Sequence, residues 1–259
     1  MKGAKGNMMS FRNDMLEAAA LQLALDMSCR PEDFLSIKNT VTYSSLLSGR
    51  RIFRDEKDFF RIASFGNGAV ATVSEEIYPF AKDLLGSVKG IELFDAKAIF
   101  HINRELAKHG KAIGSFNQYY LPVSPYYYPD LSGYRIKVYD EEAVPSLYDD
   151  KRFSNELMYE NKLGRHDVIA VCAMDGNKIY AIAGASNDSE RFWQIGIDVL
   201  PEYRGRGTAT VLVSALTKEI LMRGAVPYYG TWWSNIASRN VARKAGYYPA
   251  WVEMTAVDM

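Results

Sequence analysis

The chain has 259 residues, 48% hydrophobic and 24% charged, and its 31 basic and 31 acidic side chains cancel to a formal net charge of zero. This is the composition of a globular protein with a sizeable core, in one large or two small domains, and it excludes a general electrostatic surface for nucleic acid or anionic membrane. No run approaches the roughly 20 apolar residues of a membrane span, and neither Cys29 and Cys172 nor the three histidines show metal-ligand spacing.

In chain order, Phe11 to Met27 reads as a packed helix. Phe59 to Phe65 and Ala69 to Val73 flank Gly66-Asn-Gly as a hairpin, followed by helices at Ser74 to Leu85 and Asp95 to His109 and a strand at Ser115 to Leu121. Leu121-Pro-Val-Ser-Pro-Tyr-Tyr-Tyr-Pro-Asp130 is the natural boundary, which divides the chain into an N-terminal α/β extension, 1–125, and a second domain, 126–259. Its tyrosines, with Tyr119 and Tyr120, either line a substrate cleft between the halves or simply pack there.

Beyond the boundary, Tyr134 to Tyr139 alternates like a strand and Asp140 to Lys162 reads as a helix with acidic residues at its start. Val168 to Met174 and Lys178 to Ala185 surround the hairpin signal Asp175-Gly-Asn. Phe192 to Val199 is the next strand, Thr208 to Arg223 a helix, Ala225 to Trp232 a strand, Asn235 to Ala245 a helix and Tyr247 to Val257 the last strand. The polar start and isolated thiols suit a cytoplasmic protein with both cysteines reduced.

The stretch Gln194 to Ala209 carries the chemistry. An apolar strand runs through Pro201 into a turn containing Arg204, Gly205, Arg206 and Gly207, and a helix opens at Thr208 and Ala209. Glycines let a ligand approach the main chain, and the free N–H groups of a helix start attract anions. This is not a P-loop, which needs Lys-Ser/Thr after its last glycine. It is not a dinucleotide fingerprint either, because Thr210 stands where Gly or Ala is required.

What remains, Arg204-x-x-Gly207-x-Ala209 after a strand ending Asp-Val-Leu-Pro-Glu, resembles the acetyl-CoA pyrophosphate loop of the GCN5-related N-acetyltransferase (GNAT) superfamily. Trp232 to Tyr247 is similar to the strand, Asn-containing turn and helix that follow in that family. The resemblance covers about half the chain. It implies an α+β fold, a mixed central sheet flanked by helices, preceded here by a smaller α/β N-terminal domain that shapes the acceptor site.

It also implies that the main chain of Ile197, Asp198 and Val199 bonds the pantetheine arm of acetyl-CoA, that residues 204–209 take the pyrophosphate, and that Asn235 bonds the cofactor arm. Asn235 is also read as a helix N-cap. Such binding requires a strand that splays from its neighbour. Where many relatives place a tyrosine as general acid, this chain has Ala242, with Tyr247 a conceivable substitute or a core aromatic. Where some relatives place a glutamate base, it has Gly230; Asp198 is the first candidate for that role, ahead of Glu156, Glu160 and His166. A lysine-like amine costs roughly 4 to 5 kcal/mol to deprotonate at pH 7, so a base or water chain is useful.

The sequence therefore reads as a cytoplasmic N-acetyltransferase moving acetyl from acetyl-CoA to a small-molecule or peptide primary amine by direct attack, without metal, nucleic acid or membrane. A homodimer is compatible with it. The competing reading is a non-catalytic acyl-CoA-binding sensor or scaffold.

Overall fold

The computed structural model describes residues 2–125, 130–153, 157 and 164–259. The elements follow in the order α1 (Lys2–Asp26), α2 (Pro31–Leu35), β1 (Thr40–Tyr43), β2 (Phe60–Ser64), β3 (Ala69–Val73), α3 (Tyr78–Ser87), α4 (Ala96–Ala107), β4 (Lys111–Pro122) and β5 (Arg135–Asp140). Then come β6 (Asp167–Asp175), β7 (Lys178–Asn187), β8 (Phe192–Val199), α5 (Thr208–Met222), β9 (Val226–Trp232), α6 (Ile236–Lys244) and β10 (Tyr247–Asp258). No helix among the described residues is long and apolar enough to cross a membrane.

The strands form one mixed sheet among the described residues, in the order β1-β3-β2-β10-β4-β9-β8-β7-β6-β5. The pairs β1–β3 and β8–β9 are parallel and the others antiparallel. The boundary expected at 125/126 is not a break in this sheet. β4, from the first half, lies between β9 and β10 of the second, and β2 pairs with the other edge of β10. The successive residues Tyr119 to Pro122 of β4 are buried and need apolar cover on both faces of the sheet, between flanking strands that come from the far end of the chain.

Strand pleating sends successive side chains to opposite faces. One face carries Val171, Ala173, Ile195, Tyr229 and Tyr247 and is covered by α5 and α6, whose Leu212, Val213, Leu216 and Ala242 pack onto it. Buried positions in α5 recur at helical spacing, which is why Thr208–Met222 folds as an amphipathic helix. The other face carries Tyr119, Tyr228 and Trp251 beneath Ala19, Ala20 and Leu23 of α1 and Phe34 of α2. α1 stops where Ser28 turns left-handed, φ 54°, ahead of Pro31.

Two regions differ from expectation. The helix expected over 140–162 is instead a turn followed by 3-10 segments, Val144–Leu147 and Lys151–Phe153, while 154–156 and 158–163 lie outside the described residues. The Asp140 carboxylate accepts from the Ala143 N–H at 3.1 Å, closing a local turn that competes with an α-helix. Sequence patterning also misses β1 and α2, which are too short to show a period.

Candidate active site

β8 and β9 pair in parallel from Phe192–Val226 to Ile195–Tyr229 and form no ladder pair beyond. β8 nevertheless stays paired to β7 as far as Val199. Past Ile195, then, the edge of β8 that faces β9 offers backbone N–H and C=O groups to whatever enters the opening. A cleft of about 710 Å³ fills this splay, walled by residues 194–199, the loop and start of α5, and by Asn235, Ser238, Asn240 and Lys244 from the α6 side.

The loop is fastened from several directions. Tyr203 stacks on Tyr180, centroids 4.3 Å apart, and its hydroxyl donates to Asp175 Oδ2 at 3.0 Å. Arg204 Nε donates to the Val199 carbonyl at 2.8 Å, and Arg206 Nη2 to the Glu202 carbonyl at 3.1 Å. Gly205 and Gly207 have φ of 77° and 83°, and Gly207 is the N-cap of α5, with no side chain capping the helix. The first N–H groups of α5 are thus left for an anion, beside fixed positive charge. This fits a pyrophosphate, and the unpaired β8 edge fits the amide-bearing arm of coenzyme A.

Every residue expected to contact the cofactor lines the cleft except Arg206, which turns back onto the 3-10 turn Pro201–Tyr203. Asn235 is both a lining residue and an N-cap, its side chain accepting from the Ser238 N–H at 3.1 Å. Asp198 lies in the same cleft. Tyr247 does not: it is buried against α5, and its hydroxyl shares a 2.6 Å hydrogen bond with Thr217. Burial drives its phenol well above the usual range, and its place in the core excludes it as a proton donor to a thiolate in the cleft. Ala242 is also buried in that core.

Of the other candidates, His166 Nε2 faces Glu141 at 2.5 Å and is not among the cleft residues. Glu156, Glu160 and Tyr126 to Tyr128 lie outside the described residues. No metal-binding cluster occurs among the described residues.

Sequence reading missed Gln194 and Tyr229. A second cavity, about 250 Å³, opens on the α1 side of the sheet between Asn117, Tyr119 and Trp232, and it shares Gln194, Gly230 and Thr231 with the cleft. Gln194 Oε1 accepts from Arg165 at 3.4 Å and lies 3.1 Å from the Tyr228 hydroxyl, whose proton goes to buried Asp188. Arg165 is hydrogen-bonded to Asp188 as well. The Arg165 donor on Oε1 leaves Nε2 at the junction, where a Cβ at Gly230 would come within 3.2 Å of it and 2.8 Å of the Tyr119 ring. Gly230 is therefore where the two cavities meet, and a glutamate has no room there. Tyr229, on the opposite face of β9, lines the cleft and shares a 2.8 Å hydrogen bond with Ser238. Only non-local contacts mark these residues, so a linear pattern cannot.

Residues 132–250 match the family model described as GNAT acetyltransferase. No curated protein matches the chain. Among solved structures, similar ones include a GNAT-family protein from Novosphingobium aromaticivorans, at 20% identity over 57% of this chain and 66% of the other, TM-score 0.44. Others are a GNAT-family acetyltransferase from Colwellia psychrerythraea (14%, covering 60% and 61%, TM-score 0.42) and a GCN5-related N-acetyltransferase from Sphaerobacter thermophilus (13%, covering 78% and 77%, TM-score 0.43). The chain spans less than two thirds of the length of the first two.

Proposed function

Because residues 132–250 match the family model described as GNAT acetyltransferase, we propose that this protein is an acetyl-CoA-dependent N-acetyltransferase that acetylates a primary amine by direct attack. The observation that carries the reading is the splay of β8 from β9, with the anion-ready start of α5 at one end and a second cavity meeting the cleft at Gly230. When bound, acetyl-CoA supplies an activated acyl group on a thiolate leaving group.

The chain's own part is to hold and orient. The 204–209 loop anchors the pyrophosphate, and the free edge of β8 aligns the arm so that the thioester reaches the junction of Gln194, Gly230 and Thr231. The second cavity admits the amine from the α1 side. Holding two reactants in line is itself worth several kcal/mol. Gln194 Nε2 and the β8 edge offer N–H donors to charge developing on the carbonyl oxygen. Asp198 shares a face of β8 with Gln194, two residues beyond Gly196, and takes the amine's proton through water. Tyr229, whose phenol burial keeps protonated, is placed to return a proton to the departing sulfur. Neither cysteine lines the cleft, so neither thiol is placed to carry the acyl group.

Isothermal titration of acetyl-CoA into the wild type and into an Arg204→Ala/Gly207→Glu double variant tests the reading, followed by thiol release with an amine panel. Micromolar binding to the wild type, abolished in a folded variant, is expected. Absence of binding to folded wild type refutes it.

A further inference from the structure

The second cavity continues away from the cofactor. Asn117 and Tyr119 also line a third chamber, about 220 Å³, whose interior is formed by Asp26, Arg51, Arg61 and Glu253. Sheet register places this chamber on the same face as the junction. Glu253 pairs with Asn117 and Asn117 with Trp232, while Trp251 pairs with Tyr119 and Tyr119 with Gly230. Residues paired in register, and those two apart, share a face, and two strand spacings amount to about 10 Å.

The hydrogen bonds inside the chamber are unbalanced. Asp26 Oδ1 accepts from Gln22 at 3.0 Å and from the Arg51 backbone at 2.7 Å, and Oδ2 accepts from Arg51 Nε at 2.5 Å. Glu253 Oε1 accepts from Arg51 Nη2 at 2.8 Å and Trp251 Nε1 at 2.7 Å, and Oε2 accepts from Arg61 Nε at 2.9 Å and Nη2 at 2.6 Å. Each oxygen of these two carboxylates is therefore occupied. The guanidiniums are not: Arg51 Nη1 is buried without a hydrogen-bond partner, and the carboxylate beside Arg61 Nη1 is Asp58 at 3.7 Å, beyond hydrogen-bond distance. Tyr119 and Trp251 lie against the Arg51 guanidinium, 5.5 and 5.8 Å from ring centroid to Cζ. Such contacts serve the flat faces of the group and leave its in-plane N–H donors open.

A buried charged donor with no acceptor is costly, and the missing partner is an anionic oxygen. Resting on the acetyl-transfer reading above, we propose that the amine acceptor is a small amino carboxylate whose amine stands several bonds from its carboxylate, lysine through its ε-amine in the simplest case, with the carboxylate docked on Arg51 and Arg61 and the distal amine pointing past Asn117 and Tyr119 to Gly230. Four arginines, Arg50, Arg51, Arg54 and Arg61, face four carboxylates, Asp26, Glu56, Asp58 and Glu253, around the chamber, and this neutral balance suits one added negative charge better than the nearly two of a phosphate monoester.

The test compares the twenty proteinogenic amino acids with their α-carboxamides, by calorimetric binding to the full chain saturated with CoA and by thiol release from acetyl-CoA. Lysine is expected to bind and turn over at least ~30-fold better than its amide, the size of one charge-assisted pair. Asn117→Asp, which sets a negative charge beside the passage, is expected to narrow the preference for the amino acid over its amide about tenfold. Equal or better use of the amides overturns the proposal, as does no carboxylate-dependent binding to CoA-saturated protein. Failure of acetyl-CoA itself to bind refutes the underlying transfer reading instead, so the two failures are distinguishable.

Discussion

At Gly230 one missing methyl group keeps two cavities in contact. A Cβ there would meet Tyr119 at 2.8 and 3.0 Å, and Tyr119 cannot retreat because it stacks on Trp251, 4.8 Å away and nearly parallel. Gly230→Ala should cost about 1–3 kcal/mol of stability through overpacking. It should also lower kcat/KM for the amine at least ~10-fold while acetyl-CoA affinity, read by titration, stays within about twofold. Asp198→Asn separates base from lining residue: as the proton acceptor, its loss lowers kcat by about 10²-fold with little change in KM for acetyl-CoA. A kcat within threefold of wild type would remove Asp198 from the mechanism. Tyr229→Phe is expected to slow departure of the thiolate about tenfold, whereas Tyr247→Phe, altering a core hydrogen bond to Thr217, should change stability by about 1 kcal/mol and leave kcat intact.

Where β10 crosses the sheet, Glu253 ties together α1, the segment before β2, and β2 itself through Arg51, Arg61 and their shared partner Asp26. Burial by itself would raise the Glu253 carboxyl, but Arg61 and Arg51 outweigh it and hold the group down at about 2. A carboxyl depressed in the folded state stabilises the protein fully above its unfolded range near 4.5, and that stability is lost as pH falls toward 2. At about 1.4 kcal/mol per unit, the contribution is on the order of 3 kcal/mol. Urea unfolding midpoints should fall between pH 5.5 and pH 2.5, and Glu253→Gln, which strands two buried arginines, should cost about 3–5 kcal/mol at pH 7 and flatten that pH dependence. An unaltered pH slope in the variant would refute the assignment.

On the scale of the whole molecule, β4 makes the two halves interdependent. A fragment of residues 126–259 lacks the strand between β9 and β10, so both would present open edges and the aromatic row Trp251–Tyr119–Tyr228 would lose its centre. Such a fragment is expected to be insoluble or without near-ultraviolet circular dichroism, and a folded, acetyl-CoA-binding fragment would show the halves to be independent. The loop Arg204–Ala209 and the order of elements from β6 onward were legible in the sequence, because glycine conformations, a helix start and hydrophobic periodicity are local properties written in adjacent residues. The 125/126 boundary, the burial of Tyr247, the place of Gln194 at the junction and the chamber around Arg51 were decided only by tertiary structure. Each depends on residues as far apart as Asp26 and Glu253 being brought together, and sheet pairing between distant strands leaves no periodic trace in the strands themselves.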